Sequence, residues 1–189
     1  MKMPIIAYGD PVLRKKAADI SADYPGLSEL IVNMFDTMYG AHGVGLAAPQ
    51  IGLSIRLFVI DAVPFAEDDE ALKDFKKVFI NPQVIDESGE KWSFNEGCLS
   101  IPDIREDVNR HETLTISYFD ENWQEHKATY NGLAARVIQH EYDHIEGKLF
   151  TDKLSPLRKA MLRNRLDSIS KGLVKVDYKM KFPSLKKKR

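Results

Sequence analysis

His140-Glu141-Tyr142-Asp143-His144 sets two imidazoles four residues apart, with a carboxylate directly after the first. On a helix, positions i and i+4 lie about 6 Å apart along the axis and about 40° apart around it, so both rings can meet one metal ion. Glu141 then reaches a water on that ion, the arrangement that metal-assisted hydrolysis needs. A catalytic site of this kind takes a third protein ligand and keeps one position open. No His follows His144 and no Glu follows Glu146, and Phe150 stands where H-E-x-x-H-x-x-G-x-x-H would place a histidine. Asp152, Asp167 and Asp177 remain downstream, two of them in a basic segment, so the third ligand is expected upstream. There, Glu96-Gly97-Cys98-Leu99-Ser100 offers a thiol behind a glycine that permits a tight turn. A thiolate is a strong ligand for zinc or iron, and Cys98 is preferred here over His42, His111 and His126.

The elements that must position these residues follow from the hydrophobic pattern. Asn131 is expected to cap a helix over 132–146, with Gly147 just beyond its end. Leu133 and Val137 share a face with His140, Glu141 and His144, which turns the histidines inward. Leu27, Leu30, Ile31, Met34, Phe35 and Met38 mark an earlier helix over 25–40. Gly43 to Gln50, with two glycines and a proline, reads as a compact loop or irregular strand that something approaches closely. Strands are expected over 54–61, 78–85, 113–119 and 123–130, the last two joined by Asp120-Glu121-Asn122. Residues 62–76 read as an acidic surface insertion. Ser155-Pro156 opens a final helix whose apolar stripe is Leu157, Met161, Leu162, Leu166 and Ile169. The fold class is α+β: mixed or antiparallel sheets around a central H-E-x-x-H helix, with an N-terminal and a C-terminal helix. Residues 1–170 are expected to form a single catalytic domain and 171–189 a basic tail.

Of the 189 residues, 43% are hydrophobic and 29% charged, enough apolar material for one substantial core. The longest apolar-looking run, Val44 to Ile60, is interrupted by Gly45, Pro49, Gln50, Gly52 and Arg56, and excludes a membrane helix. The first ten residues lack the apolar run of a signal peptide, so a cytoplasmic location is expected. The lone cysteine excludes an internal disulfide framework. Charge is uneven: 14 Lys and Arg face 26 Asp and Glu up to Asp152, and 13 face 2 from Lys153 on. The basic final segment suits an anionic partner such as ribosomal RNA, or else forms a solvated helix face.

Three motifs together resemble the peptide deformylase family: G-x-G-L-A-A-x-Q at Gly43 to Gln50, E-G-C-L-S at Glu96 to Ser100, and H-E-x-D-H at His140 to His144. Ile101-Pro102, Gln139 and the first helix fit as well. Departures are Ile145 in place of leucine, the insertion at 62–76, Arg136 where an apolar pocket residue is expected, and everything beyond about Lys171. The resemblance implies removal of the formyl group from the N-terminal methionine of new polypeptides, with release of formate. It implies a metal held by Cys98, His140 and His144, with Fe(II) the working ion and Zn(II), Ni(II) or Co(II) able to substitute. Glu141 would move the proton, and the Gln50 amide and Leu99 N–H would steady the developing oxyanion. Gly45 would pair with the peptide, Val44, Phe94, Leu133 and Val137 would line the methionine pocket, and Arg105 would contact the peptide backbone. A monomer with a ribosome-facing basic segment is expected. Two rivals stand beside this reading: a peptidase cutting internal bonds, and a binding module with a structural metal.

Overall fold

The structure, a computed structural model, describes residues 1–183; the Lys186 to Arg189 cluster lies outside them. It is an α+β fold. Strands β2 (Gly45–Ala47), β3 (Leu57–Asp61), β4 (Lys76–Cys98), β5 (Ile101–Phe119) and β6 (Glu125–Asn131) form one antiparallel sheet in that spatial order. Three helices accompany it: α1 (Leu27–Gly40), α2 (Gly132–Ile145) and α3 (Pro156–Ser170). A separate pair joins β1 (Ile5–Ile6) in parallel to β7 (Met180–Lys181).

Strand β3 shows why the sheet lies where it does. Leu57, Phe58, Val59 and Ile60 are all fully buried, so both faces of the strand are covered. Phe58 and Ile60 join a core with Phe79, Leu114, Ile116 and the α2 residues Ala135, Val137 and Ile138. Leu57 and Val59 face the other way, onto Ile31, Met34, Phe35 and Met38 of α1. A continuous apolar run is what a strand sandwiched between two helices requires. A third cluster, Ile101, Ile104, Val108, Leu149 and Phe150 with Leu162, Leu166 and Ile169, seats α3 against the base of β5.

The structure departs from the sequence-based expectations in several places. The strands expected over 78–85 and 113–119 are the ends of one long hairpin, β4–β5, which turns at Leu99 and Ser100 between the paired Cys98 and Ile101. Its register shifts between Gly97 and Cys98, so three residues of β5 lie between the partners of adjacent β4 residues. Such a bulge bends a strand and re-aims its side chains. The insertion at 62–76 is not purely a surface feature: its two 3₁₀ turns carry Leu72 and Phe75 into the first core. Asn131 does not cap α2 with its side chain, which accepts instead from Thr113 Oγ1 at 2.8 Å. Leu157 and Met161 are 72% and 60% exposed, leaving Leu162, Leu166 and Ile169 as the buried stripe of α3. Residues 171–183 run along the body rather than free of it, as the β1–β7 pairing requires.

Phe79 stacks on Phe58 at 4.7 Å between ring centroids and lies 4.3 Å from the Tyr118 ring. Phe79→Ala is therefore expected to lower folding stability by ~3–5 kcal/mol, read from urea unfolding monitored by circular dichroism.

Candidate metal centre

Helix α2 begins after Asn131 at Gly132, whose positive φ of 56° suits a residue without a Cβ. The helix ends before Gly147, again at positive φ. Its pitch puts His140, Glu141 and His144 on the inward face, and Glu141 and His144 are buried. The β4–β5 turn brings Cys98 to them. The Cys98 Sγ lies 3.3 Å from His144 Nε2, and the thiol and one nitrogen of each ring all fall within 4.8 Å of one another. His42, His111 and His126 are occupied elsewhere: His42 faces Asp177, His111 meets the Gly89 carbonyl, and His126 meets Asp120.

A buried carboxylate orients this group. Glu96 Oε1 accepts from Arg110 Nε at 2.7 Å and Arg136 Nη1 at 2.9 Å, while Oε2 accepts from Arg110 Nη2 at 3.0 Å and pairs with His140 Nδ1 at 2.9 Å. With Nδ1 engaged, His140 presents Nε2 to the thiol side. Arg110 also donates to Asp143 Oδ2 at 2.6 Å, with Lys153 3.5 Å from the same oxygen. Asp143 thus pairs with an arginine and a lysine. Arg136, expected at an apolar position, is a buried part of this network: it donates to the Val108 and Trp92 carbonyls and lies 4.4 Å over the Trp92 ring.

The charge balance favours a cation at the convergence point. Burial alone would lower the His140 pKa, yet its bonds to Cys98 and Glu96 outweigh that and push it up to about 10. His144, buried and facing the His140 charge, is held well below the usual imidazole value. Burial pushes Glu141 up to about 7. Burial also opposes the Glu96 charge, but His140 and Arg110 hold its carboxyl far below the ordinary range. A pocket that makes a buried ring keep a proton is one where a dication can take that proton's place. Glu141 Oε2 and His144 Nδ1, both buried, have no hydrogen-bond partner among the described residues. An orphaned carboxylate oxygen beside a thiol and two imidazoles fits a site built for a metal and its water.

The other expected residues sort clearly. Gln50 is buried, its Oε1 accepting from Ala47 N at 2.9 Å, which turns Nε2 toward Cys98 Sγ at 3.5 Å and Ser100 Oγ at 3.3 Å. A cleft of about 900 Å³ opens over the cluster, and Val44, Gly45, Phe94, Leu99, Arg105 and Val137 line it. Leu133 does not line this cleft; it packs one turn away against the first core. Arg105 bonds Asn95 through Nε and Nη2 and lies against Gly97. Sequence reasoning missed Arg110 and Arg136 as partners of Glu96, although Ile104, Glu106, Val108 and Arg110 alternate inward along β5. It also missed the wall formed by Lys175 to Tyr178. Strict alternation of apolar and charged residues from Val174 to Phe182 is the signal that would have found it.

An α+β frame that converges a thiol, two imidazoles and a buried carboxylate under an open cleft has the make-up of a metal-dependent hydrolase. The family model described as polypeptide deformylase matches residues 2–160. The peptide deformylase of Christiangramia forsetii is 64% identical over the whole of both chains, and that of Flavobacterium johnsoniae 55%. A crystal structure of a peptide deformylase from Legionella pneumophila superposes with a TM-score of 0.79 at 42% identity, covering 92% of this chain and 98% of that one. The chain belongs to the peptide deformylase family, metalloenzymes that remove the formyl group from the N-terminal methionine of nascent polypeptides.

Gly45 has a steric requirement of its own: a Cβ there would fall 2.8 Å from the Glu141 carboxyl carbon. Gly45→Ala should therefore displace Glu141 and, on the proton-carrying role proposed for that carboxylate below, cut kcat by about 10–100-fold with metal content unchanged by atomic absorption.

Proposed function

We propose that Cys98, His140 and His144 hold one divalent ion and that Glu141 carries the proton during hydrolysis of formyl-methionyl peptides. The observation that supports this reading is the approach of the Cys98 sulfur to His144 Nε2, 3.3 Å, beside a buried carboxylate oxygen that has no donor among the described residues. Bound there, the ion would supply Lewis acidity and bring the pKa of water to about 7. Glu141 takes the proton from the attacking water and passes it to the departing amine nitrogen. Burial raises the Glu141 carboxyl above the ordinary carboxylate range, which suits it to both transfers. As water adds to the formyl carbon, the carbonyl oxygen gains charge and accepts from Gln50 Nε2 and the Leu99 N–H. Gln50 is suited to this because its own carbonyl is tied to Ala47 N, leaving the NH₂ end facing the cluster.

The substrate lies in the cleft as an added strand along β2. That strand is at the edge of the sheet, and Gly45 sits in it. Val44, Phe94 and Val137 receive the methionine side chain, with Leu133 supporting the pocket from the core behind Val137. Arg105 contacts the peptide backbone. One thiolate and two imidazoles suit Fe(II), Zn(II), Ni(II) or Co(II), and Fe(II) is the working ion. Helix α2 is then the central element of the fold, because it carries two ligands and the proton carrier. Residues 1–170 carry the catalytic groups as one domain, and 171–183 pack against it and lend Lys175 to Tyr178 to the cleft wall. No helix of the described residues is long and apolar enough to cross a membrane; the enzyme works in the cytoplasm as a monomer. The basic segment that runs from Lys153 through α3 would meet the ribosome.

Protein reconstituted anaerobically with Fe(II) is expected to release formate from formyl-Met-Ala and to leave casein intact. Casein cleavage without formate would favour the peptidase reading. Glu141→Gln should keep the metal and lower kcat by at least about 100-fold. In the wild type, kcat/KM should fall on the acid side as the Glu141 carboxylate protonates, with an apparent pKa at or below about 7 because a bound cation favours the charged form. A profile that stays flat from about pH 8 down to about 4, the ordinary carboxyl value, would remove Glu141 from this role.

Acetyl-Met-Ala offers a second check. The acyl site is walled by Gly45, Cys98 and Leu99, and the extra methyl should cut kcat/KM by at least about 10-fold. Equal rates for the two acyl groups would discard the steric account.

A further inference from the structure

Residues 174–182 alternate apolar and charged side chains: Val174, Val176, Tyr178, Met180 and Phe182 against Lys175, Asp177, Lys179 and Lys181. The apolar set is half-buried and the charged set exposed, as in an extended chain lying on a surface. The segment is fastened at both ends. Ile5 N donates to Lys179 O at 2.8 Å and Ala7 N to Lys181 O at 2.9 Å, while Val174, Met180 and Phe182 pack on the third core beside Tyr8 and Cys98. Between these anchors, Lys175 to Tyr178 line the cleft that holds Cys98, His140 and Glu141. The whole segment lies beyond residue 160, where the match to the family model ends.

One contact in it reaches the chemistry. The Tyr178 hydroxyl donates to the Leu99 carbonyl at 2.8 Å. Leu99 and Ser100 are the two residues of the β4–β5 turn, directly after Cys98. The turn is held on its other sides by Tyr8 N on the Ser100 carbonyl, 2.8 Å, and by Gly43, where a Cβ would come within 2.7 Å of Leu99 Cδ1. Only two torsions separate the Leu99 carbonyl from the Leu99 N–H. A carbonyl with a fixed partner therefore limits how far the N–H can swing. The other link from this segment, His42 to Asp177 at 3.4 Å, is fully at the surface and adds little.

We propose that Tyr178 is a positioning residue: its hydroxyl locks the Leu99 turn so that the Leu99 N–H faces the oxygen that gains charge, and residues 175–178 form a fixed wall of the substrate cleft. This rests on the oxyanion role given to Leu99 above. The step it serves adds no new chemistry, because water still enters and formate and a free amine still leave.

The test uses the full chain loaded with metal and formyl-Met-Ala as substrate. Tyr178→Phe removes one hydroxyl and nothing else. Its kcat is expected to fall about 3–10-fold, the size of one net hydrogen bond, with KM within about 2-fold of wild type. Metal content and calorimetric affinity for the deformylated product Met-Ala should match wild type, since neither needs an oxyanion donor, and Tm should fall by no more than the few degrees that one hydrogen bond is worth. Unchanged kcat overturns the proposal, and so does a loss matched by lost metal. Tyr178→Leu should reproduce the kcat loss; a loss with Leu but not Phe would assign the effect to the ring and overturn the hydroxyl's role. Gln50→Ala, run in parallel, should cost about 100-fold in kcat. If Gln50→Ala lowers kcat and Tyr178→Phe does not, the Tyr178 proposal alone fails. If Gln50→Ala also leaves kcat intact, the oxyanion reading itself fails.

Discussion

A single buried carboxylate joins the elements that make this site. Glu96 comes from β4, Arg110 from β5, and Arg136 and His140 from α2, and all four meet through the two oxygens of Glu96. Such a cluster is a weak source of net stability, because removing several charges from water costs about as much as their attraction returns. Breaking it is another matter: one missing partner leaves a buried charge uncompensated, at ~3–5 kcal/mol. The cluster therefore acts on specificity of arrangement. A one-residue slip of β5 against β4 would turn Arg110 to the other face and abandon Glu96. The register that satisfies Glu96 also fixes where β4 ends, and Cys98 stands two residues further on.

The same carboxylate sets the electrostatics of the ligands. It holds His140 by Nδ1, which frees Nε2 for the cleft side, and its charge favours a positive group at that ring. Two arginines neutralise it from behind. Glu141, the next residue on α2, receives no such donors and is pushed up to about 7 by burial. Two neighbouring glutamates of the site thus differ because one is surrounded by hydrogen-bond donors and the other by almost none. Such a separation suits a site in which one carboxylate stays charged while its neighbour can exchange a proton.

How much of this was legible in the sequence depends on the kind of signal. Helix α2 and its inward histidines followed from spacing alone, because helical periodicity survives when the inward face carries His and Glu among Leu and Val. The long hairpin did not. Asp86-Glu87-Ser88-Gly89-Glu90-Lys91 has no apolar alternation, and the inward positions of β5 include Glu106 and Arg110. A strand that buries charge on its inner face looks like a loop until the partner charges are known. Cys98 was identified by the chemistry of its thiol, yet nothing in the sequence fixes the bulge at Gly97 that aims it. Residues 174–182 mislead in the opposite way. Their lysines suggest a solvated tail, and the alternating apolar set that seats them on the body is visible only when charge is set aside.

Close approach explains the remaining motif. Gly43 lies just before β2 and Gly45 opens it. A Cβ at Gly43 would meet Leu99 from the hairpin turn, and one at Gly45 would meet Glu141 from α2. Both contacts are too short for a Cβ. The glycine pair is thus a steric imprint of the two elements that bring the Cys98 turn and Glu141 together. It also leaves bare backbone at the edge of the sheet, beside the convergence of Cys98, His140 and His144. A backbone that admits two elements so closely has no side chain at Gly43 or Gly45 to block a third chain along the open edge of β2. Packing the site tightly and keeping it open to an extended peptide are therefore met by the same two residues.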